Sequence, residues 1–452
     1  LLIKGDIFPS AEDTERIERE NYFEKLLLNQ PTGNYEMREV NGTLTRVPKD
    51  PLVPVPQVIS DISADLLLGE FPAVILPDNR QEPFDDWAFY HQLGVKLLEG
   101  GTYVSALGTV FATTHKVDDE IEIDLIPSNK VVWEEYYNKL TNVKIILSVA
   151  LHKNGNEAKY EIQEWYLNEQ GNLVIEHYYA MIRLSDHQVQ EVLPIDEPEM
   201  PGLDFIPIAK WINQGIMGKA YGRSDYSGKS QLFAEIDNRI DQNNNTIEEN
   251  QDPWKAVPAG VLDENGNLNR SNFSAKMFEK TMGGQADNSV DIMAWDANMP
   301  AAFQQIDTML DMTFFTSRLS NPITGRTKGG TSDSGRSLKW QSVSTIAMKQ
   351  RKEKYAASFM RDFISHWSKI EGEEIDKKEI IIQWQDGLPI DETEKTEAIV
   401  QQVNAGLMSK ETAIMHLQEI NTEDAQAEID KITADERTQA EIDSQSVAPI
   451  VV

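Results

Sequence analysis

The stretch that most constrains this chain is the polar helix that follows Gly222-Arg223-Ser224-Asp225-Tyr226 and runs to about Asn250. Its apolar residues, Leu232, Phe233, Ile236, Ile240 and Ile247, form one narrow stripe. The other faces carry Glu235, Asp237, Asp241, Asn243, Asn244, Asn245, Glu248 and Glu249. A helix facing a globular core shows an apolar arc of roughly 100° or more, and this one falls short. The pattern predicts a helix packed against copies of itself or lining water. Asp252-Pro253 ends it, and a small island of short strands follows, with a hairpin turn at Asp263-Glu264-Asn265-Gly266. Pro300 then opens a second helix with the stripe Ala302, Phe303, Ile306, Met309, Leu310, Thr313 and Phe314. Two helices flanking an island predict an antiparallel pair with the island at its tip.

The second helix delivers the chain into NPITGRTKGGTSDSG, residues 321–335, and then into a long basic amphipathic helix. From Arg318 to Arg361 there are ten Lys/Arg against Asp333 and Glu353, a local balance of +8. The whole chain carries -32, so the remainder carries -40. Three readings stand for the basic helix: nearness to DNA, pairing with acidic elements of a neighbouring subunit, and an ordinary solvated face. A chain so acidic does not coat itself with nucleic acid. It suits a surface that repels DNA, or an oligomer that must stay soluble.

At 452 residues the chain calls for two to four domains. It has no cysteine, which excludes disulfides, thiolate metal sites and cysteine nucleophiles, and fits assembly in a reducing cytoplasm. No apolar run approaches the ~18 residues of a membrane span, and no signal peptide is visible. The chain begins at Leu1, so a trimmed start is expected. Along the N-terminal half, helices are predicted over 11–29, 58–68 and 84–99, with a strand at 71–76. From Gly101 to Ala180 the period becomes two, which predicts an antiparallel β domain with Trp133, Tyr160, Trp165 and Tyr178 in its core. Leu193 to Pro207 reads as a connection, Glu379 to Gln385 as a strand, and the rest as acidic helices with Ser409 as a cap and Gly406 at a C′ position.

Catalytic motifs fail on inspection. Gly325 and Gly330 have the separation of a phosphate-binding loop, but Thr331 stands where that loop needs lysine. Asp333-Ser334-Gly335 lacks the G-x-S-x-G frame of a nucleophile turn. The seven histidines show no ligand spacing, and no calcium loop is present. No catalytic residue, metal or cofactor is expected.

The order of parts resembles the portal proteins of tailed bacteriophages, and within them the SPP1-like (Gp6-like) family. The resemblance rests on VISDISADLLLGEFPAVI (58–75), GRSDY with LFAEIDNRID (222–241), DPWKAVPAG with VLDENG (253–266), SGRSLKW (334–340) and WQDGLPIDETEKTEAIVQQVNAGLMSKETAI (384–414). Each alone is weak; their order and spacing cover nearly the whole chain. The resemblance implies an α+β, portal-type fold assembled as a ring. Its parts would be a β-rich wing (1–222), stem helices (223–250 and 300–320), a small β clip (251–299) and a tunnel loop (321–335). The long helix with its return strand (336–390) would complete the wing, and an α-helical crown (391–452) would follow, with no enzymatic activity implied. About twelve copies would surround double-stranded DNA at one vertex of the virion capsid, assembled in the host cytoplasm. Partners would be the terminase large subunit, a head-completion adaptor, and major capsid and scaffolding proteins, with no membrane. On this reading Arg326, Thr327, Lys328, Thr331 and Ser332 contact DNA. Glu235, Arg239, Asp241 and Glu248 line the bore or join subunits. Asp263, Glu264, Lys276 and Lys280 dock terminase and adaptor. The rival readings are a nucleic-acid-processing enzyme that holds substrate with helix 336–361, and a scaffold that touches no DNA.

Overall fold

The computed structural model describes residues 2–32, 35–40, 43–48, 51–117, 120–137, 139–152, 155–251, 254–257, 277–279, 291–293, 299–326, 340–384, 392–418 and 425–433. The chain divides into two compact units: Leu1–Thr327 with Ser342–Gly387, and Lys328–Gln341 with Leu388–Val452. Helix and strand are mixed throughout the first unit.

The first unit opens with α1 (Ala11–Leu27), where the Ser10 hydroxyl accepts from the Asp13 amide at 3.1 Å and caps the helix. A hairpin of β1 (Tyr35–Val40) and β2 (Thr43–Pro48) follows. Next come α2 (Val55–Leu68), β3 (Ala73–Ile75), α3 (Asp78–Tyr90) and α4 (Leu93–Leu107). The predicted single helix over 84–99 is therefore two, broken at Gln92 with a φ of 50°. The strand expected from Gly101 is instead the end of α4. Tyr103 and Val104 suggest β structure locally, but Leu97, Val104 and Leu107 recur at helical spacing and are buried, so tertiary packing decides.

Strands β4 (Thr109–Val117) and β5 (Glu120–Pro127) pair antiparallel and are joined on β4's other side by β11 (Ile208–Ile212). Between β5 and β11 in the sequence comes a separate five-stranded antiparallel sheet. Its strands are β6 (Val131–Tyr136), β7 (Lys139–Leu151), β8 (Glu157–Leu167), β9 (Leu173–Arg183) and β10 (Val189–Pro194), in the order β10-β9-β8-β7-β6. Part of the expected connection at 193–207 is thus the end of β10. Trp165 and Tyr178 are buried as predicted, while Trp133 and Tyr160 are half-buried, against Phe111 and Phe8.

Helix α5 (Ser230–Gln251) leads to three short strands, β12 (Trp254–Val257), β13 (Met277–Glu279) and β14 (Asp291–Met293), ordered β13-β12-β14. Helix α6 (Met299–Thr316) packs with α5. The long helix α7 (Val343–Glu371) then enters the middle of the unit. Trp211 of β11 stacks on Phe359 of α7 at 4.9 Å, and Phe84 of α3 meets Trp367 edge-on at 5.3 Å. Burying such aromatics dominates a core's energy. Finally β15 (Ile381–Gln383) pairs antiparallel with β3. In the second unit, α8 (Glu392–Asn404) ends with Gly406 at φ 71° and the Leu407 amide on Gln402 O, and Ser409 caps α9 (Lys410–Gln418).

Candidate functional site

The residues that join the stem-like helices to the rest of the first unit form a buried polar knot around Asp225. Gly222 lies so close to Gly108 that a Cβ on it would sit 2.1 Å from the Gly108 carbonyl oxygen. Its amide donates to Thr109 Oγ1 at 2.8 Å. This contact fixes Ser224, whose hydroxyl donates to Ala106 O, and it places Asp225 inside the protein. The Asp225 carboxylate accepts from Ser105 Oγ (2.6 Å), Asn213 Nδ2 (3.0 Å) and the Lys352 ammonium of α7. Lys352 also donates to Ser63 of α2 at 2.5 Å. Burial opposes the Asp225 charge, but Lys352 and the hydrogen bonds outweigh it and hold the carboxyl below its usual range. Tyr226 next to it donates to Pro56 O at 2.8 Å and meets Phe23 and Phe233 edge-on. One motif therefore ties α2, α4, α7 and the root of α5 together.

Helix α5 buries Phe233 and Ile236 and leaves Leu232, Ile240 and Ile247 half-buried, the narrow stripe read from the sequence. Arg239 pairs with Glu235 along the helix at 2.8 Å. Asp237 accepts from the amides of Leu52 and Val53. Asp241 is partnered and Glu248 is exposed. Helix α6 buries Ile306, Thr313 and Phe314 but exposes Phe303, Met312 and Phe315. Phe303 thus leaves the predicted inner stripe.

Beyond α6 the chain makes one more helical turn, with Thr324 N–H on Ser320 O and Arg326 N–H on Asn321 O. Gly325, at φ 70°, closes that turn in a conformation that side-chain-bearing residues rarely adopt. The turn sends Arg326 back alongside α6. There its guanidinium donates to Asp311 (3.0 Å) and Asp307 (2.9 Å), which lie one helical turn apart. The neck of the loop is closed by hydroxyls: Ser320 N–H donates to Thr345 Oγ1 at 2.9 Å, and Thr345 Oγ1 donates to Arg318 O at 2.8 Å.

The profile of the family described as "Phage portal protein, SPP1 Gp6-like" matches residues 42–441. The chain belongs to this family. Among solved structures it is similar to a chain of the neck of an empty gene transfer agent (GTA) particle, computed with C6 symmetry. That chain is 10% identical at a TM-score of 0.48, over 92% of this chain and 96% of that one. A chain of the virion of the native GTA particle (TM-score 0.44; 81% and 90% covered) and one of the native neck computed with C12 symmetry (0.43; 81% and 89%) are similar at 10% identity too. No curated protein sequence matches it.

Within this portal-family chain, the predicted residues fall into two groups. Arg326, Glu235, Arg239, Asp241 and Glu248 lie on or beside the paired helices α5 and α6. Thr327, Lys328, Thr331 and Ser332 of the loop, and Asp263, Glu264, Lys276 and Lys280 of the expected clip, lie outside the described residues. Arg326, expected to contact DNA, is held in this chain by both carboxylates of α6. In the basic helix, likewise, Lys352 pairs with Asp225, and Lys349 with Glu353 at 2.9 Å, inside one chain. Sequence spacing gives no sign of the Asp225–Lys352 pair, because 126 intervening residues separate the partners. It equally hides a group of His91, Glu120 and Glu122, whose ligand atoms lie within 4.8 Å of one another. The Lys96 ammonium, 3.8 Å from Glu122, already balances part of that charge.

Proposed function

We propose that about twelve copies of the chain form a ring at one vertex of a phage capsid, with double-stranded DNA passing along its axis during packaging, retention and ejection. The observation that carries this reading is the family match over residues 42–441. Residues 1–222 and 336–390 form the wing, α5 and α6 the stem, 251–299 the clip, 321–335 the tunnel loop and 391–452 the crown. The narrow stripes of α5 and α6 support a stem completed by neighbouring copies, because each helix alone leaves much of its surface uncovered. The acidic surplus of the chain keeps DNA phosphates from adhering to the bore, since every phosphate contact adds to affinity and hinders movement. Lys328, with Thr327, Thr331 and Ser332, meets the DNA. Glu235, Arg239, Asp241 and Glu248 face the bore or the next copy. The clip residues Asp263, Glu264, Lys276 and Lys280 dock the terminase large subunit and then the head-completion adaptor. Capsid and scaffolding proteins surround the wing.

The chain is a conduit in this reading, without enzymatic activity of its own, and the ATPase belongs to another chain. Among the described residues no helix is long and apolar enough to cross a membrane. The test is the mass and symmetry of the purified protein by light scattering and negative-stain imaging. A ring of roughly a dozen copies with a central hole is expected. A stable monomer, even at high concentration and in the presence of scaffolding protein, overturns the reading.

A further inference from the structure

Helix α6 carries only two charged residues in its 18, Asp307 and Asp311, and both face Arg326. Spaced four apart, they lie on one side of the helix, one turn above the other. The planar guanidinium spans them, with Nε on Asp311, Nη2 on Asp307 and a longer contact from Nη2 to the Asp307 carbonyl at 3.4 Å. A rigid fork serves such bridging better than a lysine's point charge does. Both side chains facing Arg326 are carboxylates, so a phosphate approaching the guanidinium approaches them as well. To bind DNA, Arg326 would have to leave both carboxylates and expose them to that same phosphate. The backbone supports the same contact, since the Gly325 turn points the chain back along α6 instead of away from its end.

We infer that Arg326 is a positioning residue: its fork over Asp307 and Asp311 fastens the segment entering the tunnel loop to α6 and sets the direction from which the loop starts. This rests on the portal reading only for the loop's role in the bore. The fastening itself concerns a single chain. It also divides the two loop cations by task, with Arg326 holding the segment and Lys328 left as the DNA-facing charge.

The experiment compares wild type, Arg326→Ala, Asp307→Asn/Asp311→Asn, the triple variant, and the swap Arg326→Asp/Asp311→Arg. The first readout is amide hydrogen exchange of residues 321–326 in the purified full-length protein. Two half-exposed charge pairs sharing one guanidinium correspond to an increase of about tenfold in local opening, or about 1.4 kcal/mol. Exchange is therefore expected to rise about tenfold in Arg326→Ala and in the double Asn variant. The triple variant should exchange no faster than either, and the swap should restore protection. Unchanged exchange in the double Asn variant, or additive effects in the triple, overturns the inference. The second readout is DNA retained in assembled particles. A fastening residue requires Arg326→Ala and the double Asn variant to lower it together. If Arg326 instead grips DNA, freeing it with the double Asn variant raises retention while Arg326→Ala lowers it, and that opposition of signs also overturns the inference. Exchange is read whether or not rings form, so a monomeric protein would sink the portal reading without touching this one.

Discussion

Replacing Lys352 by Met is the sharpest test of how the first unit is held together. The Lys352 and Asp225 side chains are 4% and 9% exposed, so water cannot compensate for either charge. In Lys352→Met the Asp225 carboxylate keeps its hydrogen bonds from Ser105 and Asn213 but loses the ammonium that donates to it. Removing one member of a buried pair costs about 3–5 kcal/mol, mostly from the charge left behind. The unfolding entropy is about 2.1 cal/mol/K per residue, and the first unit has about 370 residues, so the expected loss in Tm is roughly 4–6 °C. The pH dependence has a definite sign. In the wild type the lowered Asp225 pKa contributes stability that is present above the unfolded value and is lost as pH falls through the folded one. In Lys352→Met the carboxyl pKa rises instead, so acid relieves the penalty and the gap to wild type narrows towards pH 4. The double variant Asp225→Asn/Lys352→Met should recover most of the loss. The assay is thermal unfolding followed by circular dichroism at pH 7.5 and 4.5. A Tm for Lys352→Met within 1 °C of wild type at pH 7.5, or a gap that widens in acid, would refute the reasoning.

Three further outcomes are expected of the same fold. Burial and the nearby Lys377 and Lys369 pull His366 down to about 3, so it stays neutral when folded while the unfolded imidazole takes a proton near 6.5. Its contribution, at most about 4–5 kcal/mol, is complete above pH 6.5 and lost as pH falls towards 3; His366→Phe should flatten that slope in acid unfolding. Gly222→Ala puts a methyl against the Gly108 backbone, which cannot step aside, and soluble expression should drop sharply, whereas Gly228→Ala in the open turn nearby should cost only ~1 kcal/mol, as judged by chemical denaturation. Met312→Ser/Phe315→Ser removes exposed apolar surface from α6, so Tm of the dissociated chain should hold while light scattering shows weaker ring formation.

Helices α1, α2, α5 and α6 were legible from apolar residues at helical spacing, although the buried face of α1 also carries Arg16 and Glu20. So were β5, β7, β8 and β9 from their alternating residue types, although β7 buries four consecutive residues, Val143 to Ile146, instead of every second one. The end of α4 was not. Tyr103 and Val104 favour strand locally, and only packing of Val104 and Leu107 against other elements makes them helical. At the candidate site, the glycine turn before Arg326 was visible as composition. The direction it gives the chain was not, since that depends on the φ of Gly325 and on two aspartates fifteen and nineteen residues earlier. The partner of Lys352 was hidden for a similar reason. A lysine among lysines looks solvated until the fold supplies the distant acid that buries it.

The placement of α7 also sets a schedule for synthesis. Trp211 and Phe84 are in place early in the chain, but Phe359 and Trp367, which cover them, emerge only after the stem and loop have been made. At about 5–20 residues per second, the ~160 residues between β11 and the end of α7 take roughly 8–30 s to appear. For that interval Trp211 and Phe84 lack the aromatic partners that cover them in the finished fold. The centre of the first unit is thus the last part of it to close, because the rings that cover Trp211 and Phe84 come from the helix made after the paired helices α5 and α6.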